Sequence, residues 1–190
     1  MRITLTPALT PALTAALALT LALAGCAVAP PAPARLGLKL APAALGAAIS
    51  VQQHLRVERG GRIDELDAAL EVDAERLQLV GLAFGQRVLS LSYDGKEMTS
   101  WRHMMLPAQV KAEDVLEDMQ LTLWPLEAIR PALPPGWRIE DSGLRRTLYF
   151  GAEPVTLINY SALPRWSGSV ALENLRYHYR LTIQSAPVDN

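Results

Sequence analysis

The chain has few of the residues that build covalent scaffolds or metal clusters. Its 190 residues include one cysteine, Cys26, and three histidines. A disulfide-stabilised scaffold and a metal site made from several cysteines are therefore excluded. Lys and Arg number 18 against 19 Asp and Glu, which leaves a net charge of −1. This balance excludes a protein that binds nucleic acid through a basic surface along the whole chain. It also excludes a disordered protein of high net charge.

Catalytic signatures are missing as well. None of the histidines has a second His or a Cys at metal-binding spacing, and the chain has neither a phosphate-binding glycine loop nor a Gly-x-Ser-x-Gly turn. A run of acids at Glu113, Asp114, Glu117 and Asp118 is interpreted as the solvated face of a helix rather than as metal ligands or acid/base groups. We therefore predict a protein that is not an enzyme and uses no metal or cofactor.

The N-terminus is apolar. Residues 1–25 carry a single charge, at Arg2, and the apolar run from Ala15 to Ala24 is shorter than the roughly 20 residues that a membrane-spanning helix needs. Pro7 and Pro11 interrupt the preceding stretch. The pattern predicts a secretory signal peptide at residues 1–25 rather than a transmembrane anchor.

The end of this run matches the lipobox of bacterial lipoproteins, in the sequence Leu23-Ala24-Gly25-Cys26. The match predicts cleavage before Cys26, a diacylglycerol on its thiol and an acyl chain on its freed amine, and several acyl chains anchor a protein lastingly. The alternative is an ordinary signal peptide with a chance cysteine. By resemblance to the sorting rule of enterobacterial lipoproteins, Ala27 rather than Asp after the cysteine favours the periplasmic face of the outer membrane. Membrane contact would then be made through this lipid anchor.

The organisation predicted after the signal peptide is a tether and one domain. Residues 26–35 comprise the lipidated cysteine and a Pro/Ala-rich tether, which should be extended and semi-rigid. Residues 36–190 form a single domain that begins with an apolar stretch, 36–49, broken by Gly37, Pro42 and Gly46.

Alternating apolar and polar residues predict two groups of antiparallel strands. From Val51 to Trp101 the alternation is separated by turn signals, of which Gly60-Gly61 and Asp94-Gly95 are typical of hairpins. We also place a break at Gly81 to Gly85. A second group of strands runs from Trp137 to Ile183. Between the two groups, apolar residues at helical spacing predict a helix that begins near Ala112 and is stopped by Pro125. The fold class is therefore mainly β with a helical insert (α+β).

Alternation is blurred around the second hairpin. Val80, Leu82, Leu89, Leu91 and Tyr93 do not fit one apolar face and one polar face. An antiparallel sheet with one solvated face should alternate cleanly. The blurring therefore indicates that both faces are partly covered, or that one face lines an apolar cavity.

Several motifs resemble known lipoproteins. The segment GLAFGQRVL at 81–89 and Leu163-Pro164-Arg165 resemble the LolB family of outer-membrane receptors in lipoprotein localisation. A closer resemblance is to bacterial lipoproteins found with aryl-polyene biosynthesis clusters. It rests on VGL at 80–82, YDG at 93–95, LTLWP at 121–125 and GW at 136–137.

The resemblance implies a LolA/LolB-like fold, in which helices cap a curved antiparallel sheet or incomplete β-barrel. It also implies an apolar cavity between sheet and helices that shields acyl chains from water. The candidate lining residues, each of which could instead belong to a plain core, are Leu79, Leu89, Leu91, Trp101, Met119, Leu123 and Trp124.

Two functions remain open from the sequence. In the first, the protein binds or accepts acyl chains of lipids or lipoproteins at the outer membrane, and a cavity of several hundred Å³ is expected. In the second, it is a structural lipoprotein that docks a membrane biosynthesis or export complex, and a closed core with an exposed apolar patch is expected.

Overall fold

The computed structural model describes residues 35–188. The predicted signal peptide, Cys26 and the tether up to residue 34 lie outside the described residues, and so do residues 189–190. The described part of the chain begins with an extended segment and a short 3-10 turn, Pro42–Leu45. Strands β1 to β5 follow, at Ile49–Arg59, Arg62–Val72, Leu77–Ala83, Gln86–Tyr93 and Met98–Arg102.

Two helices separate these strands from the second group. Helix α1 spans Ala112–Leu123 and helix α2 spans Leu126–Ile129, followed by a 3-10 turn at Arg130–Ala132. Strands β6 to β10 comprise Trp137–Ser142, Arg145–Phe150, Glu153–Tyr160, Gly168–Asn174 and Tyr179–Pro187.

All ten strands form one antiparallel sheet in the order β5-β4-β3-β2-β1-β10-β9-β8-β7-β6. Each half is a meander of strands that follow one another in the chain. The halves are joined by pairing of β1 with β10, in a register that places Leu55 opposite Ile183. The sheet is curved and open, since β5 and β6 are both edge strands. The predicted mainly-β fold with a helical insert is confirmed.

The strands form where apolar residues alternate with polar ones. In β2, Ala68, Leu70 and Val72 are buried and the residues between them are exposed. The hairpin between β1 and β2 closes at Gly60 and Gly61, whose φ angles of 56° and 78° match the left-handed turn that suits a two-residue hairpin.

The predicted break at Gly81 to Gly85 is wrong in its extent. Strand β3 continues through Gly81 to Ala83, with a register shift between Gly81 and Leu82, and only Phe84 and Gly85 form the turn. The shift explains part of the blurred alternation. Leu89, Leu91 and Tyr93 are buried together, whereas Val80 and Leu82 lie on the opposite face and are partly exposed. That opposite face is therefore not covered at these positions.

Helix α1 covers the concave face of the sheet. Its buried side chains include Leu116, Leu121 and Leu123, and they belong to one continuous core with the inward-facing strand residues. The helix ends before Pro125, as predicted, because proline cannot continue it. The sheet and this helix together enclose the site described next.

Candidate functional site

A cavity of about 220 Å³ lies between helix α1 and the concave face of the sheet. Its walls come from β1, β2, β3, β4 and β10, from α1 and from residues 106–111 before the helix. The strand side chains are mostly aliphatic, and Leu55, Val57 and Leu181 among them are only partly buried. Side chains therefore do not fill the space between α1 and this part of the sheet.

The floor of the cavity is formed by small residues that the strand register places side by side. Ala68 of β2 pairs with Gln53 of β1 and with Gly81 of β3. A Cβ atom at Gly81 would lie 3.3 Å from Leu66 Cδ1 and 3.4 Å from Leu89 Cβ. Because neither Ala68 nor Gly81 carries a long side chain, the strands leave space between the sheet and α1 there. The sequence-based prediction of the cavity did not include Ala68 or Gly81. The signal available in the sequence was a small residue at an inward-facing strand position between leucines.

The C-terminal end of α1 is fixed to the sheet. The buried Arg146 guanidinium donates to the carbonyl oxygens of Leu121 and Trp124 at 2.6 and 2.8 Å. The Tyr160 hydroxyl donates to the carbonyl oxygen of Thr122 at 2.7 Å. Helix C-termini leave such carbonyls without intrahelical partners, so these donors hold the helix in place beyond the deep end of the cavity.

The segment before β1 binds the other side of the helix. We call residues 35–41 the strap. Its Gly37 amide donates to Glu117 Oε2 at 2.7 Å, and Leu40 exchanges two hydrogen bonds with the Gln120 side chain at 3.0 and 2.9 Å. The Trp124 indole donates to the carbonyl oxygen of Ala41 at 3.1 Å. The strap thus fastens α1 from outside.

These contacts correct the prediction that the helix acids form a solvated face. Glu117 is buried, and Asp118 is largely so. Burial raises the pKa of Glu117, although the Gly37 amide and Arg35 act to lower it. Among the acids of the run, Glu113 is exposed. Periodicity could not reveal the partners, because the strap lies about eighty residues away in sequence.

A polar network lies where the strap, α1 and β10 meet. The Arg35 guanidinium contacts Asp118 Oδ1 at 3.0 Å and Asp114 Oδ1 at 3.2 Å, and it donates to the Tyr179 hydroxyl at 3.0 Å. The Tyr179 hydroxyl in turn donates to Asp118 Oδ2 at 2.5 Å. Burial raises the pKa of Tyr179, and the neighbouring Asp118 charge adds to this effect. Since Arg35, Asp114, Asp118 and Tyr179 all line the cavity, the network forms its polar rim.

The seven predicted lining residues fall into three groups. Leu79, Leu89 and Met119 line the cavity. Leu91, Leu123 and Trp124 are at most 5% exposed and belong to the packed core. Trp101 is 43% exposed and stacks with the Arg87 guanidinium, 4.8 Å from its ring centroid. Trp101 pairs with Ser90 and so lies on the face of β5 opposite to Leu89 and Leu91. A ligand-binding role for any of them stays a prediction.

Exposed apolar side chains cluster at the end of the sheet near the cavity rim. Phe84, in the turn between β3 and β4, is 93% exposed, and Met104 and Met105, after β5, are 89% and 54% exposed. The amide of His103 donates to the carbonyl oxygen of Val88 at 2.8 Å, which places the methionines beside the start of β4.

Within residues 35–188, no group of three or more His, Cys, Asp or Glu side chains could hold a metal ion. No helix in that same range is long and apolar enough to cross a bilayer.

The fold and site define a class: an open, curved antiparallel sheet with an apolar cavity beneath a helical cover. The chain belongs to the DUF3261 family, described as a protein of unknown function, which residues 50–187 match. A search of the curated proteins gives no match.

Solved structures of similar shape share little sequence with the chain. The LolA superfamily protein NE2245 from Nitrosomonas europaea is 11% identical, with a TM-score of 0.37, over 76% of this chain and 87% of that chain. A DUF1329 family protein from Desulfovibrio piger is 12% identical, with a TM-score of 0.33, over 80% and 88%. The MucA/MucB complex of Pseudomonas aeruginosa matches at 14% identity and a TM-score of 0.43, over 80% of this chain and 56% of that chain.

Proposed function

We propose that the protein is an outer-membrane lipoprotein that binds or accepts acyl chains of lipids or lipoproteins in the cavity under α1. The observation that carries the proposal is the cavity itself, about 220 Å³ between an aliphatic sheet face and the helix. Its walls are mostly apolar, and covering apolar surface is favourable by about 25 cal/mol per Å². Such a protein acts by binding and needs no catalytic group.

Partly buried side chains support this use of the cavity. Leu55, Val57 and Leu66 lie on the concave face and are only partly buried, whereas Val51, Leu70 and Leu79 in another row of the sheet are buried. Apolar groups of a fully packed core are normally covered on all sides. An acyl chain in the cavity would cover the exposed parts of Leu55, Val57 and Leu66 and would make van der Waals contacts with them.

The position of the strap suits a membrane-anchored acceptor. Residues 27–34 separate the predicted lipidation site from Arg35, and eight extended residues span at most about 30 Å. Arg35 lies at the polar rim of the cavity. The tether would therefore keep the rim close to the membrane that carries the anchor.

Anchoring is tested with the Cys26→Ala variant of the full chain. Loss of the thiol removes the acylation site, so we expect the variant to leave the membrane fraction, where the wild-type protein stays after a salt wash. Labelling with an alkyne-tagged fatty acid should disappear with it. Equal membrane retention and labelling of both chains would contradict lipidation at Cys26.

Acyl binding is tested with two neighbouring alanines of β2. Ala68 is 4% exposed and lines the cavity, whereas Ala69 is exposed on the other face of the same strand. Ala68→Phe should fill the cavity and Ala69→Phe should not. The measurement is native mass spectrometry of the full chain released from detergent after incubation with palmitate.

The two variants should differ in bound palmitate. Wild type and Ala69→Phe should carry it, and Ala68→Phe should lose most of it while keeping its thermal unfolding transition. If the wild-type chain takes up no acyl ligand, or if a folded Ala68→Phe binds as well as wild type, the proposal is wrong.

A second candidate function is docking to a membrane biosynthesis or export complex. The exposed side chains of Phe84, Met104 and Met105 favour it, because exposed apolar patches mark contact sites. Cross-linking in intact cells through a photoreactive residue at position 84 should then capture one protein partner reproducibly. Position 153, at the exposed start of β8 in the other half of the sheet, is the matched control. Recovery of lipid adducts alone would count against protein docking.

A further inference from the structure

We propose that the natural ligand has a single acyl chain and an anionic head group, a carboxylate or a phosphate. This inference rests on the proposed function and makes its ligand class specific. It follows from the dimensions of the cavity, from the mostly apolar lining of its deep part and from the charges at its rim.

The cavity is long and narrow. Along β1 it is lined by Gln53, Leu55, Val57 and Arg59, a distance of about 20 Å at 3.3 Å per residue. Its volume is about 220 Å³, below the roughly 300–1,000 Å³ of sites that hold drug-sized ligands. Spread over that length, the volume leaves no room for two hydrocarbon chains side by side. The three chains of a mature lipoprotein do not fit together.

The deep part of the channel offers few partners to a polar ligand group. Its side chains are those of Ala68, Leu79, Met119 and Ile183, together with Gln53. The Gln53 amide nitrogen already donates to Ser185 Oγ at 3.1 Å. A polar group placed there would lose its hydration and gain at most the Gln53 amide as a partner. The polar end of a ligand must therefore stay at the rim.

Most charges at the rim are already paired. Arg35 is bound to Asp114 and Asp118, and Arg62 Nε lies 3.0 Å from Asp64 Oδ1.

Two rim cations have no acidic partner within residues 35–188. Arg59 faces the Tyr179 ring, with its guanidinium carbon 5.9 Å from the ring centroid, and Lys111 makes no ion pair. Both are exposed and line the channel opening. The channel lining carries four cations, Arg35, Arg59, Arg62 and Lys111, against three carboxylates, Asp64, Asp114 and Asp118. Arg59 and Lys111, which pair with none of these carboxylates, place positive charge at the channel opening, and this favours an anionic head group there and disfavours a cationic one. A carboxylate and a phosphate both satisfy this requirement. The structure therefore assigns a negative charge to the head group and does not distinguish between these two groups.

The test uses photoreactive lipids and the full chain in phosphatidylcholine nanodiscs. Four probes carry a diazirine at the same position of a C16 chain. Two are single-chain anions, a fatty acid and a lysophosphatidic acid; one is a single-chain trimethylammonium; and one is diacyl phosphatidylcholine. After irradiation, adducts are mapped to the peptides that contain Leu55 and Met119, which line the channel.

We expect both single-chain anions, or one of them, to label these peptides at least fivefold more than the cationic and the diacyl probe, about the effect of one exposed ion pair. The Arg59→Gln/Lys111→Gln double variant should bring anionic and cationic labelling to within twofold. Arg76→Gln, an exposed cation in the turn between β2 and β3 at the opposite end of these strands, should leave the preference unchanged.

The possible results separate this inference from the proposed function. Labelling of the channel by all four probes alike, or best by the cationic or diacyl probe, overturns the inference and leaves acyl binding intact. Absence of channel adducts from every probe, with Ala68→Phe indistinguishable from wild type, overturns both. Because Arg59 and Lys111 are exposed, their replacement should not impair folding, and unchanged thermal unfolding verifies this.

Discussion

Replacing Arg146 by methionine should weaken the attachment of the helical cover more than any surface change. Arg146 is fully buried, and its guanidinium contacts Asp141 through two hydrogen bonds of 2.8 and 3.1 Å. It also donates to the carbonyl oxygens of Leu121 and Trp124 at the end of α1. Methionine fills similar space but donates nothing, so the partly buried Asp141 carboxylate loses its main partner. The carbonyls of Leu121 and Trp124 lose their donor as well.

The loss in free energy of unfolding follows from these contacts. Removing one partner of a buried ion pair costs about 3–5 kcal/mol. Asp141 keeps a second partner, Arg165, at 2.6 Å, which places that term near the lower end. Each carbonyl left without a donor adds about 1 kcal/mol. We therefore expect a loss of about 5 kcal/mol, made of about 3 kcal/mol for the ion pair and about 1 kcal/mol for each carbonyl. This loss lowers the midpoint of thermal unfolding by roughly 10–20 °C for a domain of this size.

The assay is urea unfolding of the full chain followed by tryptophan fluorescence. The matched control is Arg145→Met, because Arg145 is the adjacent residue, is exposed and bonds only the side chain of Asn159 at 3.1 Å. It should change stability by less than about 0.5 kcal/mol. A difference between the two variants below about 1 kcal/mol would refute the reasoning, since it would mean that water replaces the lost donors at no cost.

The same contacts predict a pH dependence. Burial acts to raise the pKa of Asp141, but the hydrogen bonds and charges of Arg146 and Arg165 lower it overall. A carboxyl group whose pKa is lowered in the folded protein stabilises the fold at any pH above its ordinary pKa. This stabilisation is lost as the pH falls through the pKa of the group in the folded protein. The gap between wild type and Arg146→Met should therefore narrow below about pH 4.

Two further stability predictions rest on single contacts. Burial raises the pKa of Tyr160 to about 12, so its contribution is present below pH 10 and is lost as the pH rises from about 10 to 12. Tyr160→Phe should cost about 1 kcal/mol at pH 7 and flatten this alkaline loss, and an unchanged alkaline slope in chemical unfolding would contradict it. Gly168→Ala should destabilise by at least about 1 kcal/mol more than Gly143→Ala. Both glycines have positive φ, 68° and 59°, but only at Gly168 would a Cβ lie 2.4 Å from Ser161 Oγ. Equal melting temperatures of the two variants would show that the clash relaxes freely.

Local pattern predicted much of the fold. Alternation placed most strands, Gly60-Gly61 and Asp94-Gly95 placed two hairpin turns, and Pro125 placed the end of α1. These features depend on the preferences of neighbouring residues, which a sequence displays directly. The misplaced break at Gly81 has the same origin, since a glycine is ordinarily a turn signal and here lies inside a strand because it approaches Leu66 and Leu89 closely.

The candidate site could be predicted only in part. Periodicity identified Leu79, Leu89 and Met119 as inward-facing residues, and the structure places them at the cavity. It could not separate them from Leu91 or Trp124, which face inward too but are packed. Trp101 looked equivalent in a blurred pattern, and its pairing with Ser90 puts it on the opposite face. Whether an inward-facing residue lines the cavity depends on the side chains that lie opposite to it in the folded protein.

The sequence by itself therefore determined which segments become strands and helix, which side of each strand is apolar, and a lipidation motif at Cys26 that remains a prediction. Only the tertiary structure decided that a cavity remains between the sheet and helix α1. Pairing of β1 with β10 and the register of β1 to β3 bring Gln53, Ala68 and Gly81 into one row. Partners distant in the chain also turned Glu117 and Arg146 into buried groups that hold the helix. Such long-range contacts follow from packing of the whole chain, which no local window of sequence contains.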